Sequence, residues 1–203
     1  MTQTTSGVTF RETMKGDFAL GEAEPSVGAD RGKAAGQTLA LHCTVTIDDI
    51  QQFISEPDHL GHLAGHVEFT PFGEPIPASA GVFNLFRPSD TPGLKLMVYE
   101  LAFEHEGRPY YLAGRKEVRD DSSVDLWSDT TTLYTWLHEG SDSAGPVVGA
   151  GTLSLGPTDL VRLVSTLRAT GARSKTEEAQ ALAMFGRFFL GELWGSYARV
   201  ATG

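Results

Sequence analysis

The sequence predicts a mainly β protein: an antiparallel β-barrel with short helices and one long C-terminal helix. Three strand-like runs follow one another in residues 94–137, LKLMVYELAFE, YYLAGRKEV and VDLWSDTTTLYTWL. Further short apolar runs bounded by Pro, Gly or Asp lie on both sides of them. Because a parallel crossover needs a helix between successive strands and none has room here, the sheet should be mainly antiparallel.

Composition limits the partners and the compartment. A chain of 203 residues with 40% hydrophobic content suits one sizeable core. The net charge of -10, from 16 Lys and Arg against 26 Asp and Glu, argues against nucleic acid as a partner. No run is long and apolar enough to span a bilayer, the single Cys43 has no disulfide partner, and the first residues do not resemble an export signal. We therefore expect a cytoplasmic protein.

The N-terminal residues 1–38 are expected to form a partly flexible arm, and residues 39–203 a single barrel domain. Val8, Phe10 and then Met14 alternate, which favours an edge strand that docks on the barrel. Residues 22–36 are rich in Gly, Ala and charge and are typical of a mobile loop.

The first clear strand covers residues 39–47, with Asp48 as N-cap of a short helix that stops before Pro57. The same order recurs at residues 149–156, where Thr158 is the expected cap of the next helix. We read this as a weak internal similarity that is too short to indicate duplication.

Between these two segments, residues 62–69 and 81–86 add short strands before the three central runs. Residues 104–109 (EHEGRP) and 117–125 (EVRDDSSVD) are predicted hairpin loops. Short strands at this spacing indicate a barrel of the calycin or lipocalin kind.

The long helix is predicted over residues 174–197, opened by a capping box of Ser174 and Glu177. Its apolar face is wide enough to require burial; the face comprises Leu182, Phe185, Phe188, Phe189, Leu193, Trp194 and Tyr197. It covers one end of the barrel, lies across the outer wall or forms a dimer interface. The need of a sheet's apolar face for a covering layer favours contact with the barrel.

The runs GVFNLF, MVYELAFEHEGRPYYLAGRKEV, LWSDTTTLYTWL and FGRFFLGELWGSY together carry a family resemblance. The chain, over about residues 8–197, resembles the accessory β-rich segment joined to flavin oxidoreductases of the glucose-methanol-choline type, especially sterol-oxidase-like ones. The resemblance implies association with sterol- or polyketide-like molecules and with a partner oxidoreductase. The flavin-binding part is absent, since no GxGxxG stands between a strand and a helix, so no cofactor is expected.

Lys116 is the leading site candidate because strand parity places it. Met97 and Tyr99 lie on the apolar face of one central strand, and Tyr110 and Lys116 lie on the equivalent face of the next. A lysine in a pocket acts as a base or amine nucleophile, or anchors a carbonyl or anionic group. The alternative is that Lys116 lies near the strand end and reaches water. We predict that Tyr99 and Lys116 face one cavity and contact the bound molecule.

Four further residues are candidates for the same site. Asp129 and Tyr134 suit acid–base chemistry, although they lie on opposite faces of one strand, and either face could be the inner one. Trp136 shares the face of Tyr134 and is a candidate for ligand binding. Asp129 is alternatively a turn or ladder residue. Asn84 is a candidate buried amide that needs hydrogen-bond partners, in part from a ligand.

The histidines His59, His62 and His66 have a spacing that invites a metal site. In an extended strand, His62 and His66 would lie about 13 Å apart, too far to bind one ion. Only a helical turn would bring them together, and Gly61 and Gly65 disfavour one. We therefore expect no metal.

Three functional classes follow from the sequence. The first is a barrel that binds a hydrophobic small molecule, sterol-, lipid- or polyketide-like. The second is a cofactor-independent cyclase or isomerase acting on a hydrophobic natural-product intermediate, in which pocket shape folds the substrate. The third is a structural interaction module or homodimer that uses the last helix.

Overall fold

The computed structural model describes residues 5–119 and 130–198. The strands are β1 Gly7–Leu20, β2 Thr38–Ile47, β3 Leu60–Phe69, β4 Ile76–Pro88, β5 Leu94–His105, β6 Arg108–Arg119, β7 Thr132–Glu139, β8 Val147–Ser154 and β9 Arg168–Thr170. The helices are α1 Pro25–Ala35, α2 Ile50–Ser55, α3 Pro157–Thr166 and α4 Lys175–Ala198, with a 3-10 turn at Thr70–Phe72. Among the described residues, the helices are all too short or too polar to cross a membrane.

Strands β1 to β8 form a closed antiparallel barrel, as the sequence predicts. Each strand pairs with the next along the chain, and β1 also pairs with β8, which completes the ring. The short β9 adds to the first residues of β1. The interior of an eight-stranded barrel is just wide enough to be filled by side chains or to hold one small molecule.

Strand β1 is paired on both sides within the barrel, although the sequence suggested an edge strand. It pairs with β2 on one side and with β8 on the other. Its inward row includes Val8, Phe10, Met14 and Phe18, all buried. The first 38 residues thus contribute a barrel strand as well as a helix.

Helix α1 occupies most of the segment that was expected to be a mobile loop. It has no broad apolar stripe, and its buried residues are Pro25, Gly28 and Gly32. A Cβ added at Gly28 would lie 2.0 Å from the carbonyl oxygen of Ala150 on β8. The helix backbone therefore rests directly on the outer wall, which explains a helix built from glycine and charged residues.

Two helix caps differ from their predicted positions. The N-cap of α2 is Asp49, whose Oδ1 accepts hydrogen bonds from two backbone N–H groups of the first turn. The prediction of Asp48 was wrong because Asp49 is the extended residue that directly precedes the helix. The N-cap of α3 is Gly156 in place of Thr158, because Pro157 takes the first helical turn and α3 begins there.

Helix α4 begins with the predicted capping residues. The backbone N–H of Glu177 donates to Ser174 Oγ over 3.2 Å. The Glu177 carboxylate accepts in return from the backbone N–H of Arg173, one residue before the cap. The start of the long helix is thus confirmed, with the reciprocal hydrogen bond displaced by one residue.

Helix α4 covers the end of the barrel at which β1 begins and β4 ends. The Phe185 ring lies 5.7 Å from that of Phe10, and the Phe189 ring lies 5.7 Å from that of Phe86. The Lys95 ammonium at the start of β5 forms an ion pair with Glu192. Three predicted members of the apolar face lie outside the residues whose side chains are described: Leu193, Trp194 and Tyr197.

An aromatic group lies at the opposite end of the barrel. Phe72 of the 3-10 turn has its ring 4.9 Å from that of Phe69, 4.2 Å from that of His105 and 5.6 Å from that of Tyr110. Both ends of the barrel are therefore lined by aromatic side chains.

The predicted turn between β5 and β6 is confirmed. Its two central residues, Glu106 and Gly107, have φ values of 49° and 75°, the left-handed pair of a two-residue hairpin loop. Most of the second predicted loop, residues 117–125, lies outside the described residues. The strand expected to include residues 124–137 is described from Thr132 as β7.

Candidate functional site

A polar cluster of Glu12, Tyr99 and Lys116 lies inside the barrel. Lys116 Nζ donates to Glu12 Oε1 over 2.9 Å, and the Tyr99 hydroxyl donates to Glu12 Oε2 over 2.9 Å. The side chains of Lys116 and Glu12 are each 2% exposed. The carboxylate thus accepts one hydrogen bond on each oxygen, one from a cation and one from a phenol.

The strand order brings these side chains together across the lumen. In the ring of eight strands, β1 with Glu12 lies opposite β5 with Tyr99. Lys116 on β6 is directly paired with Met97 of β5, two positions from Tyr99 on the same face. The cluster therefore connects opposite walls of the barrel.

Lys116 keeps hydrogen-bonding capacity beyond its ion pair. Its ammonium carries three N–H donors, and the described residues accept only one of them, at Glu12. Nζ also lies 4.9 Å from the centre of the Tyr99 ring, a cation–π contact. The remaining donors suit an oxygen atom of a bound molecule.

Burial fixes the protonation of the two neighbouring weak acids. Loss of water, and then the nearby Glu12 carboxylate, raise the pKa of the Tyr99 phenol well above its usual value. The same two causes raise the pKa of the Cys43 thiol, whose Sγ lies 3.5 Å from the Glu12 backbone oxygen. Both groups keep their protons at neutral pH, so Cys43 is not an activated nucleophile.

A row of aromatic rings extends from α4 to this cluster. The Phe185 ring lies 5.7 Å from Phe10, Phe10 lies 6.1 Å from Phe83, and Phe83 lies 5.2 Å from Tyr99. All four side chains are buried. The polar cluster is thus bordered by an apolar, aromatic surface on the side that faces α4.

The structure brings together part of the predicted site. The inward direction expected for Tyr99 and Lys116 is confirmed, and Met97 is buried beside Lys116. Tyr110 faces the same way but lies near the opposite end, with its ring 5.8 Å from that of Phe103. It is therefore separated along β6 from the Lys116 cluster.

Tyr134 and Trp136 lie on the outer wall, which corrects their expected place in the pocket. The inner row of β7 is Leu133, Thr135 and Leu137, all buried, so the alternate residues point outward. Trp136 Nε1 donates to the Ala23 carbonyl oxygen over 3.1 Å, so this ring holds the segment before α1. The other candidate on this strand, Asp129, lies outside the described residues.

Asn84 is buried, as expected, and hydrogen-bonds to the protein backbone. Its Nδ2 donates to the carbonyl oxygen of Asp58 over 2.9 Å. Phe83, the preceding residue, points into the barrel, so the Asn84 side chain points away from the lumen. The amide holds the loop before β3 and does not join the polar cluster.

Sequence reasoning missed Glu12, the residue at the centre of the cluster. The alternation along β1 could have revealed it, because Glu12 lies in the same inward-facing row as Val8, Phe10 and Met14. A lone carboxylate in an apolar row requires a buried partner, and Lys116 was the buried cation to match it.

A separate groove of about 220 Å³ lies between the first described residues, α2 and α4. Its lining is largely polar and includes Asp49, Arg173, Glu177 and Gln180. Asp49 caps α2, and Glu177 takes part in the cap of α4. Two of its polar lining residues are thus engaged in helix caps, and its lining is more polar than the barrel interior.

These features define a closed eight-stranded β-barrel with a polar cluster buried in its interior. Comparison with protein-family models, with curated proteins and with solved structures finds no match to this chain.

Proposed function

We propose that this protein binds a hydrophobic small molecule inside the barrel, with an oxygen atom of that molecule accepting a hydrogen bond from Lys116. The observation that carries the proposal is the Lys116–Glu12–Tyr99 cluster. Replacing a buried ion pair by apolar side chains is often neutral or stabilising, so the pair is weak evidence for a purely structural role. A ligand that needs placed polar groups within an apolar wall accounts for it.

The surroundings of the cluster support the chemical class. The ammonium of Lys116 has donors to spare, whereas the rings of Phe10, Phe83 and Phe185 offer only hydrocarbon contact. A molecule with a large apolar body and a carbonyl, hydroxyl or carboxylate group satisfies both. Sterol-, lipid- and polyketide-like compounds have this composition, and an oxidoreductase acting on them is the partner that the sequence resemblance favours.

The experiment is native mass spectrometry of the protein isolated from its own host. The wild type should release an apolar compound that contains oxygen. The double variant Glu12→Gln/Lys116→Met removes both charges at once, so that neither is left buried alone, and it should release much less. Lys15→Met makes the same lysine change on the exposed face of β1 and should match the wild type. A bound compound retained equally by all three proteins would refute the proposed site.

A second function, cofactor-independent cyclisation or isomerisation, is favoured by the mixture of groups in the cluster. In such a reaction Lys116 would polarise a carbonyl, and Tyr99 and Glu12 would exchange a proton with the substrate through the hydrogen bond that joins them. If this function holds, a captured compound will be converted by the wild type into an isomer of equal mass and different chromatographic retention. Recovery of the compound unchanged would leave binding alone as the function.

A further inference from the structure

We propose that His42, His66 and Glu68 form a binding site for a divalent transition-metal ion of the zinc class on the outer wall of the barrel. The cluster lies on the opposite face of the sheet from Glu12 and is independent of the proposed ligand site. Its ligands would be the Nε2 atoms of the two imidazoles and one carboxylate oxygen.

Strand register brings the three side chains together. His42 on β2 is directly opposite His66 on β3, and Glu68 follows two residues later on the same face of β3. The two imidazole rings are stacked, with centroids 4.6 Å apart and planes inclined by 14°. Both Nε2 atoms thus approach the same carboxylate.

The distances suit a small ion. His66 Nε2 lies 3.4 Å and His42 Nε2 lies 3.7 Å from Glu68 Oε1, and the ligand atoms all lie within 4.8 Å of one another. Ligands bound at about 2.0–2.1 Å in a tetrahedron are separated by about 3.4 Å. The carboxylate is already near that separation from both nitrogens, and only the imidazoles need to adjust.

His42 carries the feature that a chance surface pair would lack. Its Nε2 is shielded from solvent and has no hydrogen-bond partner among the residues that the structure describes, while its Nδ1 lies 3.1 Å from Thr13 Oγ1. When Nδ1–H donates to the threonine hydroxyl, Nε2 presents a lone pair to the cluster. Such a second contact on the far ring nitrogen is the usual way of orienting a metal-binding histidine.

The donor set indicates the kind of ion. Two imidazoles and one carboxylate suit zinc and similar borderline ions better than calcium or magnesium, which prefer oxygen alone. The side chains of His66 and Glu68 are 42% and 47% exposed, so an ion can reach the cluster from their side without unfolding, although His42 Nε2 itself is shielded. Cys43 follows His42 but points into the barrel, so it is not a ligand.

The register between β2 and β3 explains why the spacing of His59, His62 and His66 along the sequence did not indicate this site. His59 Nδ1 lies 2.7 Å from the Phe53 carbonyl oxygen, and His62 Nε2 lies 3.2 Å from Asp48. Each of the three histidines singled out by spacing has a different neighbour. His66 meets its partner on another strand, beyond the intervening α2.

The test is calorimetric titration of Zn²⁺ into the tag-free protein, combined with the absorption spectrum of the Co²⁺ form. The wild type should bind one ion, and Co²⁺ should give the visible bands of a tetrahedral site without thiolate charge transfer. His42→Gln and His66→Gln should each lower affinity by about tenfold or more, and Thr13→Val by about tenfold through loss of the orienting contact. His62→Gln removes an exposed histidine from the same strand and should bind as the wild type does.

Several results would overturn the proposal. They are absence of a stoichiometric Zn²⁺ site in the wild type, equal affinity in His42→Gln or His66→Gln, and equal losses in those variants and in His62→Gln. Circular dichroism of each variant, recorded beside the titrations, separates a lost ligand from a lost fold.

Discussion

Removal of Lys116 alone should destabilise the barrel strongly, and removal of both charges should not. In Lys116→Met the Glu12 carboxylate stays buried with a single hydrogen bond, from Tyr99. Breaking one partner of a buried pair costs about 3–5 kcal/mol, whereas replacing the whole pair is often neutral or better. We expect the double variant Glu12→Gln/Lys116→Met to recover about 2–3 kcal/mol of the loss, the scale of coupling between contacting groups.

Urea unfolding followed by circular dichroism measures these free energies for the wild type, both single variants and the double variant. In a chain of this length, each kcal/mol of lost stability lowers the melting temperature by about 2–4 °C. Lys116→Met should therefore melt about 6 °C or more below the wild type. Lys15→Met, which alters an exposed lysine on β1, is the control and should change little. Additive losses in the double variant would show that Lys116 and Glu12 do not interact in the folded protein.

Three further predictions test the barrel and its interior. Cys43 should resist thiol reagents in the folded protein at neutral pH and react fully in denaturant, because burial raises its pKa; rapid reaction with the native protein would contradict this. Tyr99 ionises in the unfolded chain near pH 10 but stays protonated when folded, so its contribution to stability is complete below about pH 10 and is lost as the pH rises above it. Urea titrations of the wild type and Tyr99→Phe from neutral to alkaline pH should show a flatter decline in the variant, and identical slopes would count against burial of the phenol. Gly28→Ala should destabilise the protein, because the new Cβ would lie 2.0 Å from the Ala150 oxygen, whereas Gly186→Ala in α4, with nothing within 4 Å, should raise stability by about 0.5–1 kcal/mol. Equal melting shifts in the two glycine variants would mean that α1 does not rest on the wall.

Regular alternation is the part of this fold that can be predicted from the sequence. It predicts the inward direction of Tyr99 and Lys116, because the strands on both sides of the β5–β6 turn repeat every two residues without interruption. Helix α1 has no such periodic signal, because it packs through Gly28 and Gly32, which carry no side chain to form an apolar stripe.

Contacts between strands that are far apart in the sequence were difficult to predict for a different reason. The partner of Lys116 is Glu12, from a strand on the far wall that is separated from it by most of the barrel sequence. His42 lies opposite His66 because of the register between β2 and β3. That register depends on the length and path of the segment that connects the two strands, which includes α2. Spacing along the chain carries no information about either contact, and only the parity and charge of Glu12 indicated that it needs a buried cation.

Closure of the barrel has a consequence for the route by which any molecule reaches Lys116. Each of the eight strands is hydrogen-bonded to a neighbour on both sides, although the described pairing of β6 with β7 ends at Arg115 and that of β1 with β8 ends at Lys15. Along the paired stretches a molecule can enter only by breaking backbone hydrogen bonds, which favours entry through an end of the barrel. At the end nearer the cluster, α4 stands in the way with Phe185 and Phe189. If the barrel binds a molecule as proposed, the rate of its exchange at this end should be set by how readily α4 moves away from Phe10 and Phe86.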